Sequence, residues 1–368
     1  LIYRGKRAEV EKLDDLTVRI RFDAPNGLFR ERLATWRGLP FCNTPAHYLK
    51  QYHPVDGNSK VIEATMKRYG MPSRRALYFF MKDPHNTEHP RLWPWLFRAY
   101  KANPPLSFVR NPYYFAVDTH GNQLPYIDRL FFDQKQKDLI GVAAAHGEFS
   151  YQSTNIGFGQ FTLLMSDRNR GGYKVRQWFS TAGGSFVICF NLNHRIEESN
   201  PVSRLKKTYL NNKIFRRALS LAINRPAIIH SLYAGITEPS QAAPPPDSPF
   251  YEPSLNHAYI KYNPSVANRL LNEIGLDKRD VDGFRTFPDG SSMHFFLDSP
   301  DHAAFPRGLL EFVAEDWAEV GVRVTPRQRA QRLFTLTYYS SLGDMLLGGG
   351  PIDFLPLINP QNYVPVLT

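Results

Sequence analysis

The chain's 368 residues suffice for two or three folding units at about 150 residues each. Hydrophobic residues supply 42% and charged residues 21%, and the 29 prolines and 24 glycines fall well short of the roughly one quarter typical of disordered chains, so intrinsic disorder and a miniature disulfide scaffold are both excluded. The 45 Lys and Arg against 34 Asp and Glu give a net charge of +11, which admits an acidic partner such as nucleic acid or an anionic membrane without choosing one.

From Leu1 to Arg7 there is no apolar signal core and no lipidation cysteine, so the chain is expected to be either cytosolic or an internal segment. Leu16, Val18, Ile20 and Phe22 alternate with polar residues, a period of two that predicts a strand with one inward face, closed by Ala24-Pro25-Asn26-Gly27. Thr44 to Pro105 is rich in Pro, Arg, His and aromatics with weak periodicity and reads as loops and short helices. Buried strands are expected at Tyr126–Asp133 and Phe186–Asn191, with a helix near Lys137–His146 between them.

The second half is patterned more sharply. Phe215, Ala218, Leu219, Ala222 and Ile223 share one helix face; Asn224-Arg225-Pro226 then ends that helix and caps another carrying Ile228, Ile229, Leu232 and Tyr233 to Gly235. Asn263-Pro264 opens a helix with Val266, Ala267, Leu270, Leu271 and Ile274, stopped at Gly275. Pro288-Asp289-Gly290 is a hairpin turn before the strand Met293, Phe295, Leu297; a helix with Leu309, Leu310, Val313, Trp317 and Val320 stops at Gly321 and leads into Val322 and Val324. Strands alternating with helices predict an α/β fold. No run approaches the roughly 18–20 apolar residues of a membrane-spanning helix.

Several motifs suggest chemistry. His85-Asn86-Thr87-Glu88-His89 has the H-x-x-E-H order that, on a helix, offers two imidazoles to one zinc with Glu as general base. Pro84 and Pro90 oppose that helix, so exposed loop histidines are the expected reading and a zinc-dependent hydrolase the alternative. Gly183-Gly184-Ser185-Phe186 lacks the second glycine of a serine-hydrolase elbow, Gly157-Phe158-Gly159 lacks the third glycine of a dinucleotide loop, and no Walker lysine follows Gly348-Gly349-Gly350. Cys42 and Cys189 are too far apart for a metal knuckle and read as buried thiols. Arg74-Arg75, Arg216-Arg217 and Arg327 to Arg332 read as solvated faces, so nucleic acid is not an expected partner. Aromatic residues, at 14%, are numerous enough to line a ligand cleft as well as fill a core.

Arg110-Asn111-Pro112-Tyr113-Tyr114, Val117-Asp118 and Gly121-Asn122-Gln123-Leu124-Pro125-Tyr126-Ile127-Asp128 together resemble a signature of the family 5 extracellular solute-binding proteins, the receptors of ABC importers. Asp14 to Val18, Gly171-Gly172-Tyr173-Lys174-Val175, Phe190-Asn191, Phe215 to Arg225 and Pro288-Asp289-Gly290 follow the same family in order. The resemblance implies a two-lobed, type II periplasmic-binding-protein-like α/β fold with an extra subdomain, incomplete at both ends. Residues 1–51 would be the tail of that subdomain, 52–184 part of lobe 1, and 185–368 lobe 2, incomplete at its C-terminus. It implies a substrate-binding component rather than an enzyme, monomeric, periplasmic or extracellular, without cofactor or metal. Such a receptor captures a solute, oligopeptide first and oligosaccharide next, and hands it to a membrane permease when the lobes close. Carried onto this sequence, the binding residues would be Gly184, Ser185 and Phe186 entering the hinge strand, Asn191 on it, Asn155 in the preceding loop, Gly349 in the glycine run, and Asp353 beyond it as the carboxylate for a ligand's amino terminus. Trp178 would be either a stacking platform or core.

Overall fold

The structure, a computed structural model, describes residues 2–35, 38–83, 86–98, 105–177, 186–301, 308–349 and 356–357. Packing divides the chain into Leu1–Lys135 and Gln136–Thr368. Among the described residues no helix is long and apolar enough to cross a membrane.

The smaller unit opens with two antiparallel ribbons, β1 (Ile2–Tyr3) with β2 (Lys6–Arg7), and β3 (Glu9–Lys12) with β4 (Val18–Arg21). The expected inward face of β4 is covered at one end only: Leu16 is 98% and Val18 60% exposed, whereas Ile20 and Phe22 are half-buried and Phe22 packs edge-on against Tyr3 and Phe29. Short helices α1 (Phe29–Leu33), α2 (Leu39–Cys42) and α3 (Ala46–Leu49) lead to α4 (Ser59–Tyr69) and α5 (Arg74–Lys82). The stretch read as loops and short helices holds a helical pair with its own core of Leu49, Tyr52, Ile62, Leu77 and Met81. Local chemistry builds it. The Asn58 side chain accepts from Lys60 N and Val61 N at the start of α4, Gly70 takes the left-handed conformation at its end, and Ser73 caps α5 through Ala76 N.

A three-stranded antiparallel sheet follows, β5 (Trp95–Phe97), β6 (Leu106–Arg110) and β7 (Arg129–Phe132). Phe131 and Phe132 on β7 are exposed, so this strand is less buried than its composition predicts. Between β6 and β7 the signature string closes on itself. Asp118 accepts from the backbone N–H groups of His120 and Asn122, both at 2.8 Å, from Asn122 Nδ2 at 2.9 Å and from the Tyr126 hydroxyl at 2.5 Å. Gln123 Nε2 donates to the carbonyls of Pro112 and Tyr114. These residues shape a loop; the Tyr126 hydroxyl and the Asn122 donors hold the Asp118 carboxyl far below the usual carboxylate range.

In the larger unit, α6 (Lys137–Ala145) and α7 (Phe161–Gly171) precede β8 (Phe186–Phe190), and α8 (Val202–Asn211), α9 (Lys213–Leu221), α10 (Arg225–Tyr233), α11 (Pro253–Asn256) and α12 (Pro264–Glu273) follow it. The chain then runs β9 (His294–Pro300), α13 (Leu309–Glu319), β10 (Arg323–Arg329), α14 (Gln331–Ser340) and β11 (Met345–Gly349). The sheet order is β10-β9-β11-β8, with β9 parallel to both neighbours and β8 antiparallel to β11.

The apolar periodicities close this core as expected. Phe215, Ala218 and Leu219 of α9, Ala267 and Leu271 of α12, Phe295 and Leu297 of β9, and Leu310, Val313 and Trp317 of α13 form one buried cluster. The fully buried Trp317 donates its Nε1–H to Leu219 O at 2.9 Å. Asn224 caps α10 through Ala227 N, as its position predicts. Arg285, only 2% exposed, has no carboxylate in its bonding shell among the described residues: it donates to Val320 O, to the side-chain oxygens of Asn268 and Asn272 on α12, and to Leu276 O. Burial, with Arg279 adding to it, lowers its pKa to about 10, so it stays charged at neutral pH.

Candidate functional site

The crossovers of the larger unit locate an edge suited to ligand binding. From central β9 the chain crosses by α13 to β10 on one side, then by α14 to β11 on the other. In open α/β sheets, ligands sit beyond the carboxyl ends of the strands where the order reverses, here the ends of β9 and β11. Register sets what lies there. Met345 pairs with Leu297 and Leu346 with Asp298, a register that, continued, would set Ser299 at Leu347 and Pro300 at Gly348. On the other side of β11, Gly349 pairs with Phe186 and Gly348 with Val187.

The sequence-derived residues Phe186 and Gly349 thus meet as direct partners at this edge. Phe186 packs one side against the core, as do Ile188 and Phe190. Alternation then puts Cys189 on the opposite face, where it is exposed rather than buried as expected. A Cβ placed on Gly348 would meet nothing within 4 Å, so side-chain-free backbone stands open to a ligand on that face.

The same face carries a charge cluster that the sequence reading missed. Asp298, fully buried on β9, accepts from Arg327 Nε at 2.8 Å, Arg327 Nη2 at 2.9 Å and Arg329 Nε at 2.7 Å. Arg327 lies opposite Asp298, and Arg329 opposite Pro300. These arginines are not a solvated basic face: two guanidiniums share one carboxylate, leaving an excess positive charge next to the open edge. Their i, i+2 spacing beside an acidic residue within an apolar strand is the signal that could have found them.

Asn191 belongs to the other end of the sheet. Its Nδ2 donates to the carbonyls of Ser341 at 3.0 Å and Gly343 at 2.6 Å, and its Oδ1 accepts from Asn193 N at 3.1 Å. It pins the approach to β11 at that strand's amino end, away from Phe186 and Gly349. Nearby, the buried Asp344 accepts from His194 Nε2 and Lys206 Nζ, each at 2.8 Å, and from Phe296 N at 2.9 Å. Asn155 is exposed in a bend with φ of 57° ahead of α7. Trp178, Gly184, Ser185 and Asp353 lie outside the described residues.

The zinc alternative fails on geometry. α5 ends at Lys82, and Thr87, Glu88 and His89 form a turn, so Glu88 and His89 are not presented on a helix; His85 lies outside the described residues. His89 is not the exposed loop residue expected either, being only 6% exposed. Glu88 faces Arg68 at 3.8 Å. Among the described residues no group of three or more His, Cys, Asp and Glu is placed to hold a metal ion.

Residues 3–363 match the family described as bacterial extracellular solute-binding proteins, family 5 Middle. The periplasmic alpha-galactoside-binding protein of Rhizobium meliloti is 25% identical over 380 residues, covering 98% of this chain and 50% of the relative. Among solved structures, an oligopeptide-binding protein OppA is 34% identical with a TM-score of 0.62, over 96% of this chain and 55% of that one. The binding protein MelB of Agrobacterium fabrum, solved with stachyose, shares the fold at 21% identity and a TM-score of 0.64, over 94% of this chain and 50% of its own. The chain spans about half the length of these relatives. Members of the matched family are extracellular or periplasmic binding proteins, and by the extent of the match this chain belongs to it: it is a family 5 bacterial extracellular solute-binding protein.

Proposed function

We propose that this chain is the substrate-binding part of an ABC-type importer, acting outside the cytoplasmic membrane as a monomer and without catalysis. It holds an oligopeptide by preference, or an oligosaccharide, and delivers it to a membrane permease. The lobe limits expected from the sequence, 1–51, 52–184 and 185–368, belong to the same proposal. The observation that carries the reading is the sheet edge where Gly348 leaves its face open on the side of the sheet that carries Arg329, with Phe186 and Gly349 paired at the strand ends. Extended peptides are recognised through just such backbone donors and acceptors, with a cation available for a carboxylate, whereas sugars use the ring face. Asn155, Trp178, Gly184, Ser185 and Asp353 remain candidate contacts within this reading; Asn191 is assigned to structure.

A thermal-shift screen of the full chain against peptide and oligosaccharide libraries tests it. A solute at 100 times its Kd stabilises the folded state by about 2.7 kcal/mol, a rise of roughly 5 °C or more. Absence of any stabilising solute, or equal stabilisation of a Gly348→Val variant, counts against the reading.

A further inference from the structure

The net charge of +11 is unevenly placed. Residues 1–135 carry 22 Lys and Arg against 13 Asp and Glu, whereas residues 136–368 carry 23 against 21, so nearly all the excess falls on the smaller unit. Such an asymmetry bears on partners rather than on the fold, because clustered like charges repel one another and attract an acidic surface. The helical pair holds a large share of it: from Lys50 to Arg91, eight Lys and Arg stand against four Asp and Glu.

Three of those four carboxylates are engaged. Asp56 lies 3.0 Å from the His53 ring, Glu63 3.4 Å from Arg74 and Glu88 3.8 Å from Arg68. Arg75 and Lys82 of α5 form no ion pair among the described residues. α5 sorts its side chains onto two faces. Leu77 and Met81 are buried, and at about 100° per residue Arg75, Phe79 and Lys82 fall within an arc of about 60° on the opposite side. Arg75 and Phe79 are exposed, the ring to 58%, and the Arg75 guanidinium stands over that ring at 5.7 Å. At the margin of the arc Tyr78 meets the His53 ring at 5.8 Å, and two residues beyond His53 stands Val55, 81% exposed.

Unpaired cations and apolar side chains thus share one exposed side of the helical pair. Cations alone would suit any polyanion. A ring beside them suits a lipid interface, where headgroup phosphates take the cations and the acyl margin takes the ring. A single nucleic acid strand would use the cations and stack on Phe79, but has no apolar layer for Val55. We infer that this face of α5 docks the smaller unit onto an anionic membrane surface, with Arg75 and Lys82 at the lipid phosphates and Phe79 entering the headgroup layer. The contact is electrostatic first, and the ring adds to it. It goes beyond the solute-binding reading and does not involve the sheet edge of the larger unit.

Flotation of the full chain with vesicles of phosphatidylcholine, alone or with roughly 30% phosphatidylglycerol, tests it at about 20 mM and about 500 mM salt. Binding to the anionic vesicles at low salt, lost at high salt and absent on pure phosphatidylcholine, is expected. Each cation near an anionic surface is worth about fivefold in binding, so Arg75→Glu with Lys82→Gln should weaken it about tenfold or more. Arg75 sits in the first turn of α5, which holds no acidic residue, so glutamate there complements the helix's positive end and the variant should keep the parent melting temperature. A control with the same change in net charge, Lys261→Glu with Lys278→Gln at exposed positions of the larger unit, should weaken binding less than about threefold. Phe79→Trp should shift its emission to shorter wavelength on the anionic vesicles and not on phosphatidylcholine. Failure to bind the anionic vesicles at low salt, equal binding to phosphatidylcholine, an equal loss in the control pair, or tighter binding of an oligothymidylate strand than of the vesicles overturns the inference.

Discussion

Asp344→Asn removes one charge from the most enclosed ion cluster of the larger unit and should cost about 3 kcal/mol. The side chain of Asp344 is 3% exposed and that of Lys206 14%, so water can rescue neither. Lys206 also stands over the rings of Phe295 and Phe296 at 5.6 and 5.2 Å, whose faces attract the ammonium but replace only part of what the carboxylate supplies. Removing one partner of a buried pair costs roughly 3–5 kcal/mol, since the other charge stays desolvated; Asn keeps one acceptor oxygen, which places the expectation at the lower end. The loss should be read by urea unfolding followed through hydrogen exchange of β9 and β11 peptides, which reports the larger unit separately. Adding Lys206→Met to Asp344→Asn should recover at least about 1 kcal/mol, because the apolar stem still covers the two rings and no charge remains. A single-variant loss under about 1 kcal/mol, or full additivity of the two changes, would refute the reasoning.

Other consequences follow from the same contacts. Burial alone would raise the Asp344 pKa, but His194, Lys206 and the Phe296 amide outweigh it and hold the group below its ordinary 3.8. The stabilisation is therefore complete above about pH 4 and lost as pH falls through the lower folded-state value, so acid should deprotect β9 and β11 in the parent more steeply than in Asp344→Asn. Asn191→Ala should cost about 1–3 kcal/mol in urea unfolding while leaving solute affinity within twofold, since its bonds lie at the amino end of β11. Gly348→Val should change stability by less than about 0.5 kcal/mol yet weaken solute binding about tenfold, a difference that calorimetry on the folded variant measures directly. Asn58→Ala should cost about 1 kcal/mol, confined to exchange of α4 and its neighbours in the smaller unit.

The larger unit was legible because its helices bury one continuous stripe: Phe215, Ala218 and Leu219 recur at helical spacing and are all fully buried. In the smaller unit the short helices were legible only as a class, without their limits, because α4 and α5 bury only Ile62, Leu77 and Met81, too few apolar positions to stand out among Arg, Lys and Tyr. Caps were the better signal there, Asn58 and Ser73 marking both starts. The strand around Leu16 failed in the opposite way, with a clean alternation of which only the Ile20 and Phe22 end is covered. At the site, the family signature led to Phe186 and Gly349, and only register showed them to be partners. Arg327 and Arg329 escaped because a run of arginines reads as surface until a buried carboxylate is found opposite them. Arg285 illustrates the limit of pattern reading: its partners are carbonyl and amide oxygens brought together from several segments by the fold.

Hydrogen exchange of the full chain with and without a stabilising solute tests the central claim most directly. The account predicts that bound peptide or oligosaccharide slows exchange at the start of β8, around Phe186, and at the carboxyl ends of β9 and β11, around Pro300 and Gly349, and that Gly348→Val removes this protection. Protection confined to the amino end of β11 near Asn191, or none at the sheet edge despite saturating solute, would contradict it.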